Sequence, residues 1–72
     1  MEEVVKLFKK YEPIKSIYED DDNYYCFPEV KDGEEPVVVI YNKEFNELKR
    51  LFFYEFPKIG INIKLIYGDE LL

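Results

Sequence analysis

The sequence predicts an α+β fold. We expect one domain over residues 1–72, with a sheet of about four mostly antiparallel strands and two helices on one face. Three observations lead to this prediction. The 72 residues leave room for a single domain, and 47% of them are hydrophobic, which suits a dense core. The apolar residues also change between helical and alternating spacing along the chain. The predicted element order is α-β-β-β-α-β.

The first predicted element is a helix over residues 2–11, which Pro13 ends. Acidic residues stand in its first turn and lysines near its end, as the helix dipole favours. The apolar residues of this segment recur at helical spacing: Val4, Leu7, Phe8 and Tyr11.

Three strands are predicted next, over residues 14–18, 24–28 and 37–41. Aromatic and β-branched residues dominate all three segments, and such residues favour strands. An acidic turn separates the first two strands, so we expect a hairpin. The third strand follows a turn at Asp32-Gly33, and its run of β-branched residues is typical of a central strand covered on both faces.

A second helix is predicted over residues 43–56, with Asn42 as its N-cap and Pro57 after its end. The final strand is predicted over residues 59–67, where apolar and polar residues alternate. A strand–helix–strand unit implies a right-handed crossover and one parallel strand contact. The helix is expected to bury Phe45, Leu48, Leu51 or Phe52, and Phe56, and the strand to share one face among Ile59, Ile61, Ile63, Leu65 and Tyr67.

Acidic residues are concentrated in one part of the chain. The chain has 16 acidic and 10 basic residues, but residues 19–35 alone contain eight acids and one lysine. Neighbouring carboxylates repel one another by about 1 kcal/mol per exposed pair. Two interpretations stay open: a surface that meets a positively charged partner, or a solvated loop that keeps the hairpin from pairing with other sheet edges.

No residues suggest a cofactor, a metal site or catalysis. The segment that starts at Asp20 fails the EF-hand pattern, because Tyr25 stands where glycine is required. The chain contains no histidine to act as a general base, and its glycines are isolated. Cys26 lies between two aromatic residues, which favours a packed core thiol over a nucleophile. We therefore expect a protein that is not an enzyme.

In size, acidity and lack of catalytic groups, the chain resembles phage-encoded DNA-mimic proteins. The resemblance rests on composition and on the acidic segment 19–35. It implies an inhibitor that occupies the DNA-binding site of a basic host protein, such as a sliding clamp, a nucleoid protein, a polymerase or a defence nuclease. Duplex DNA itself would be repelled. The expected partner-binding residues are Glu19, Asp20, Asp21, Asp22, Glu29, Asp32, Glu34 and Glu35, with Tyr18 and Tyr24 as aromatic contacts.

The alternative is a small interaction or assembly module without nucleic-acid mimicry. It would form a homodimer through a sheet edge or through the apolar Leu71-Leu72 tail. The chain begins without the basic segment of a signal peptide and has no apolar run of membrane-spanning length. For both functions we expect a cytoplasmic protein, in the host cytoplasm if a phage encodes it.

Overall fold

The computed structural model describes residues 13–56 and 63–70, together with Lys6 and Lys10. Between residues 13 and 70 the described segments form five strands and one short 3-10 helix. The elements in chain order are β1 (Ile14–Glu19), β2 (Asn23–Pro28), β3 (Val37–Asn42), β4 (Glu47–Phe52), the 3-10 helix (Phe53–Glu55) and β5 (Lys64–Gly68).

The five strands form one antiparallel sheet in the order β4-β3-β2-β1-β5. From β1 to β4 each strand pairs with the next, and β5 pairs with the free side of β1. This topology places the β1–β2 turn (residues 20–22) and the β3–β4 turn (residues 43–46) at one end of the sheet, which we call the tip end. The β2–β3 connection (residues 29–36) lies at the opposite end, the loop end.

Both faces of the sheet carry buried residues, because side chains alternate between the faces along each strand. Val38 and Val39 are both fully buried, so β3 is covered on both sides, as its β-branched run predicted. One core cluster contains Ile14, Ile17, Cys26 and Val39, and the cluster on the opposite face contains Tyr18, Phe27, Val38, Ile40 and Phe56.

The first three predicted strands are confirmed, but the predicted α+β class is wrong. Residues 43–56 form a turn, strand β4 and a 3-10 helix instead of the second helix. The spacing of Leu48 and Leu51 fits one face of a helix, but Leu48 is 54% exposed in the structure. β3 needs a partner on its outer side, and pairing Val38 with Leu51 and Val39 with Arg50 provides it.

The predicted parallel contact is also wrong. β5 pairs antiparallel with β1, on the far side of the sheet from β4, so no crossover of the expected kind forms between β3 and β5. The register between β1 and β5 shifts after Ile17, which pairs with Tyr67, because Tyr18 then pairs with Leu65. This shift interrupts the predicted alternation: Tyr67 packs against one core cluster and Ile63 against the other.

Part of the prediction falls outside the described residues. The helix predicted over residues 2–11 lies outside them except for Lys6 and Lys10. The Lys10 N–H donates to the Lys6 carbonyl over 3.2 Å. Residues 59–62 of the predicted final strand and the Leu71-Leu72 tail also lie outside the described part.

Candidate functional site

The acidic turn at the tip end is built around Asp20. One carboxylate oxygen, Oδ1, accepts hydrogen bonds from the backbone N–H groups of Asp22 and Asn23, each over 2.8 Å. The Asp20 N–H in turn donates to the Asn23 carbonyl over 3.1 Å. A short acidic side chain that satisfies nearby N–H groups stabilises a tight turn. The Asp20 carboxylate is therefore engaged within the hairpin.

The other Asp20 oxygen accepts a hydrogen bond from the hydroxyl of Tyr25. Burial alone would raise the pKa of Asp20, but the bonds from Tyr25, Asn23 and Asp22 and the charge of Lys43 outweigh it and hold this pKa below its usual value. Burial and the bond to Asp20 raise the pKa of Tyr25. The pair therefore favours an ionised carboxylate beside a protonated phenol.

Glu19 is also engaged. Its carboxylate forms an ion pair of 2.8 Å with Lys43 from the β3–β4 turn, and the Glu19 side chain is only 14% exposed. The Lys43 ammonium lies 4.1 Å from the centre of the Tyr24 ring, within range of a cation–π interaction. Lys43 thus neutralises part of the acidic tip. Asp21 and Asp22 stay exposed there.

The Tyr24 ring stacks on Phe45, with 5.6 Å between ring centres and 2° between ring planes. Phe45 has a φ of 68°, in the left-handed region that bulky residues rarely adopt. Asn42 closes this turn, because its side-chain oxygen accepts from the N–H groups of Glu44 and Asn46 over 2.9 and 3.0 Å. Asn42 therefore accepts hydrogen bonds from backbone N–H groups, as the predicted N-cap would, but it does so in a hairpin turn.

The second group of acids lies at the loop end. The predicted turn at Asp32-Gly33 is confirmed: the Glu34 N–H donates to the Lys31 carbonyl over 3.0 Å, and Gly33 has a φ of 86°. The Lys31 N–H donates back to the Glu34 side chain over 3.1 Å. All four predicted acids of this connection are exposed: Glu29, Asp32, Glu34 and Glu35.

The fold brings the end of the described chain to this group. The Asp69 N–H donates to the Lys15 carbonyl over 3.4 Å, and the buried Ser16 hydroxyl donates to the Asp69 carbonyl. Asp69 also lines an open cleft together with Lys15, Glu29 and Glu34. The loop end therefore gains the exposed acids Asp69 and Glu70, which are distant from residues 29–35 in sequence.

The structure divides the acids of residues 19–35 between the two ends of the sheet. Asp22 and Glu29 flank β2 at its two ends. At ~3.3 Å per residue, the extended strand holds them roughly 20 Å apart. The predicted partner-binding residues thus form two acidic groups, which we call the tip acids (Asp21 and Asp22) and the loop acids (Glu29, Asp32, Glu34 and Glu35).

The two predicted aromatic contacts differ in position. Tyr18 is 4% exposed and packs edge-on against Phe27 with 5.6 Å between ring centres, so it belongs to the core. Tyr24 is half-buried between Lys43 and Phe45 at the tip end. Of the two, only Tyr24 lies beside exposed acids.

Two residues of the tip end, Lys43 and Phe45, are not among the partner-binding residues that the sequence predicts. The predicted helix over residues 43–56 buries Phe45 and holds Lys43 away from Glu19. The signal that was available is Asn42, since an asparagine after a β-branched strand is typical of a turn as well as of a helix N-cap. The contribution of Asp69 to the loop end has no local sequence signal, because it depends on the pairing of β5 with β1.

The described residues line two concave regions. An apolar cavity of about 200 Å³ lies beside β4, and the open cleft that Asp69 lines at the loop end has a volume of about 810 Å³. Among the described residues, no three acidic or cysteine side chains are grouped to hold a metal ion. The described part of the chain likewise contains no helix that is long and apolar enough to cross a membrane.

Comparison of the chain with protein-family models, with curated proteins and with solved structures found no match.

Proposed function

We propose that this protein is a non-enzymatic inhibitor whose acidic surface mimics DNA and blocks the DNA-binding site of a basic host protein. One observation carries the proposal: exposed acids stand in two groups at opposite ends of a rigid strand. The tip acids and the loop acids are separated by the length of β2. A sheet holds such a separation better than a flexible acidic tail, because its backbone is hydrogen-bonded on both sides.

The separation suits a surface that normally follows a DNA backbone. One DNA strand carries a phosphate about every 3.4 Å along the helix axis, so a span of roughly 20 Å corresponds to about six phosphates. The protein offers charges at the two ends of such a span. Between the two ends lie the residues of β2, which are half-buried or buried. A target that holds phosphates at both ends of its groove could accept both groups of acids.

The mechanism is competition. The tip acids and the loop acids pair with lysines and arginines that otherwise hold phosphates, and duplex DNA is then excluded. Tyr24 and Phe45 add a stacked aromatic pair beside the tip acids, and aromatic residues contribute strongly to protein interfaces. Because the contacts are ionic and exposed, affinity falls steeply as salt concentration rises. Such a target places the protein in the cytoplasm of the host.

The test begins with the purified chain immobilised and exposed to a bacterial lysate. Retained proteins are then eluted with duplex DNA and identified by mass spectrometry. We expect to recover a DNA-binding protein. The purified form of this protein should bind the chain and should release bound duplex DNA as the chain is added. Asp21→Asn together with Asp22→Asn should weaken that binding about tenfold, or about 1.4 kcal/mol. Asp20 is left intact because the turn depends on it.

The matched control is Glu47→Gln with Glu55→Gln, which removes the same number of charges from the β4 side of the sheet. We expect this control to bind the target within about twofold of the original chain. Equal loss in both double variants would show a response to net charge alone. Two results would contradict DNA mimicry: a retained protein that duplex DNA does not displace, or binding that Asp21→Asn and Asp22→Asn leave unchanged.

A further inference from the structure

The exposed apolar residues of the described chain are concentrated along one sheet edge. Four of the six large ones lie between residues 45 and 54: Phe45 (39% exposed), Leu48 (54%), Phe52 (41%) and Tyr54 (74%). Among the described strands, β4 pairs on one side only, with β3. An edge strand leaves backbone groups on its outer side that another strand can pair with.

We propose that a second copy of this chain pairs with it antiparallel along β4, around a two-fold axis between Leu48 and Lys49. The register places Glu47 opposite Arg50 of the second copy, and Arg50 opposite Glu47 of the second copy. This symmetric contact joins the two sheets into one continuous sheet. It is independent of DNA mimicry, because neither the tip acids nor the loop acids take part.

Charge complementarity carries the choice of a second copy as the occupant. Within one chain, Arg50 already forms two hydrogen bonds to Glu47, over 3.1 and 3.2 Å, and both side chains stay about half exposed. In the proposed register each arginine lies between two carboxylates. Opposite charges that face each other across strands are favourable, whereas like charges are not. A register centred on Lys49 or on Arg50 would place two identical cations directly opposite each other.

The faces of the sheet agree with this register. Glu47 pairs with Tyr41 and Arg50 with Val39, and these two β3 residues lie on the same face. Glu47 and Arg50 share a face because the register shifts at Leu48, the extra residue of β4. Residues that lie directly opposite in an antiparallel pair must point to the same face. The shift therefore makes the Glu47–Arg50 pairing geometrically consistent.

The centre of the paired segment allows an apolar contact as well. Phe45 takes no part in it, because Phe45 lies in the β3–β4 turn with a left-handed backbone and its ring stacks on Tyr24 of β2. At the centre, Lys49 lies opposite Leu48, whose exposed side chain its alkyl stem can cover.

The experiment measures mass in solution by analytical ultracentrifugation over a wide range of protein concentration. We expect the chain to approach twice its 8.8 kDa mass at high concentration. Glu47→Arg and Arg50→Glu, each alone, should weaken the dimer at least about tenfold, because each places like charges opposite one another. An equimolar mixture of the two variants should recover the dimer, since each arginine then faces a glutamate of the other variant.

The mixture separates the contact between copies from the ion pair within one chain, which stays broken in both variants. Lys31→Glu, on the β2–β3 connection, is the control for a reversed charge away from β4 and should dimerise like the original chain. Circular dichroism checks that each variant is folded. A chain that stays monomeric at every concentration overturns the proposal, and so does a mixture that stays as monomeric as its components.

Discussion

The hydroxyl of Tyr25 donates a hydrogen bond to the Asp20 carboxylate, which joins the β1–β2 turn to the side chain of the third residue of β2. The same carboxylate accepts hydrogen bonds from two backbone N–H groups of the turn. Asp20 therefore has a structural part in the acidic segment. This explains why three consecutive aspartates, which appear equivalent in the sequence, differ in what their charges do.

Tyr25→Phe should destabilise the protein by about 1–2 kcal/mol, because it removes a hydrogen bond to an ionised group and leaves the rest of the ring in place. Urea unfolding at neutral pH measures this free energy. Tyr54→Phe is the matched control, since Tyr54 is 74% exposed and its change should stay within about 0.5 kcal/mol. Equal effects of the two substitutions would contradict the role of the Tyr25 hydroxyl.

The stability of the fold should fall in acid through Asp20. Hydrogen bonds hold its folded-state pKa below the ordinary value of 3.8, so the ionised form stabilises the fold at higher pH. That contribution is complete above the unfolded-state pKa and is lost as pH falls through the folded-state pKa. Urea midpoints measured from pH 7 down to about pH 2 should show a smaller loss for Asp20→Asn than for the original chain. Parallel curves would exclude this contribution.

Tyr25 should act in the opposite direction at alkaline pH. Its folded-state pKa is raised above the ordinary value of 10.0, so the protonated phenol stabilises the fold. The contribution is present below the unfolded-state pKa and is lost as pH rises through the folded-state pKa. Tyr25→Phe should remove this alkaline loss. Spectrophotometric titration of the tyrosines before and after the substitution should show that the missing group titrates above the ordinary value of 10.0.

Gly68→Ala should destabilise the protein by more than about 3 kcal/mol. Gly68 has a φ of 87°, and a Cβ atom there would lie 1.9 Å from the Lys15 carbonyl oxygen. Gly33→Ala is a close control, because Gly33 has a φ of 86° but open space around it. It should cost only the conformational penalty of about 1 kcal/mol. Similar thermal midpoints for the two variants would refute the close approach of β5 to β1.

Phe45→Gly should be about 1 kcal/mol more stable than Phe45→Ala, because glycine adopts the left-handed conformation without a steric penalty. Both variants lose the ring stack with Tyr24, which contributes about 0.5–1.5 kcal/mol. We therefore expect Phe45→Gly to lie near the original chain in stability and Phe45→Ala below it. Urea unfolding of all three proteins makes the comparison, and the reverse order would contradict the left-handed backbone at Phe45.

Three strands could be predicted from the sequence because their signals are local. Aromatic and β-branched residues fill β1, β2 and β3, and aspartate, asparagine and glycine mark the turns between them. The buried position of Cys26 followed from its two aromatic neighbours and is confirmed at 2% exposure. These features depend on residues that are close in the chain, so no knowledge of distant partners was needed.

β4 could not be predicted in the same way. The spacing of Leu48, Leu51 and Phe52 fits a helix, and the charged residues between them favour neither structure strongly. Residues 47–52 form a strand because they pair with β3. β3 is the third of four consecutive strands and gains a hydrogen-bonded neighbour on its outer side. The left-handed Phe45 and the turn around Asn42 follow from that pairing.

By itself, the sequence determined that the protein is acidic, that its acids are concentrated in residues 19–35 and that no histidine is present for catalysis. Only the tertiary structure decided where those acids stand. Asp20 is hydrogen-bonded within the turn, and Glu19 forms an ion pair with Lys43. The remaining acids of this segment lie at opposite ends of the sheet, and Asp69 and Glu70 lie with the loop acids. The physical reason is that an extended strand separates the residues on its two sides, while sheet pairing brings distant segments together.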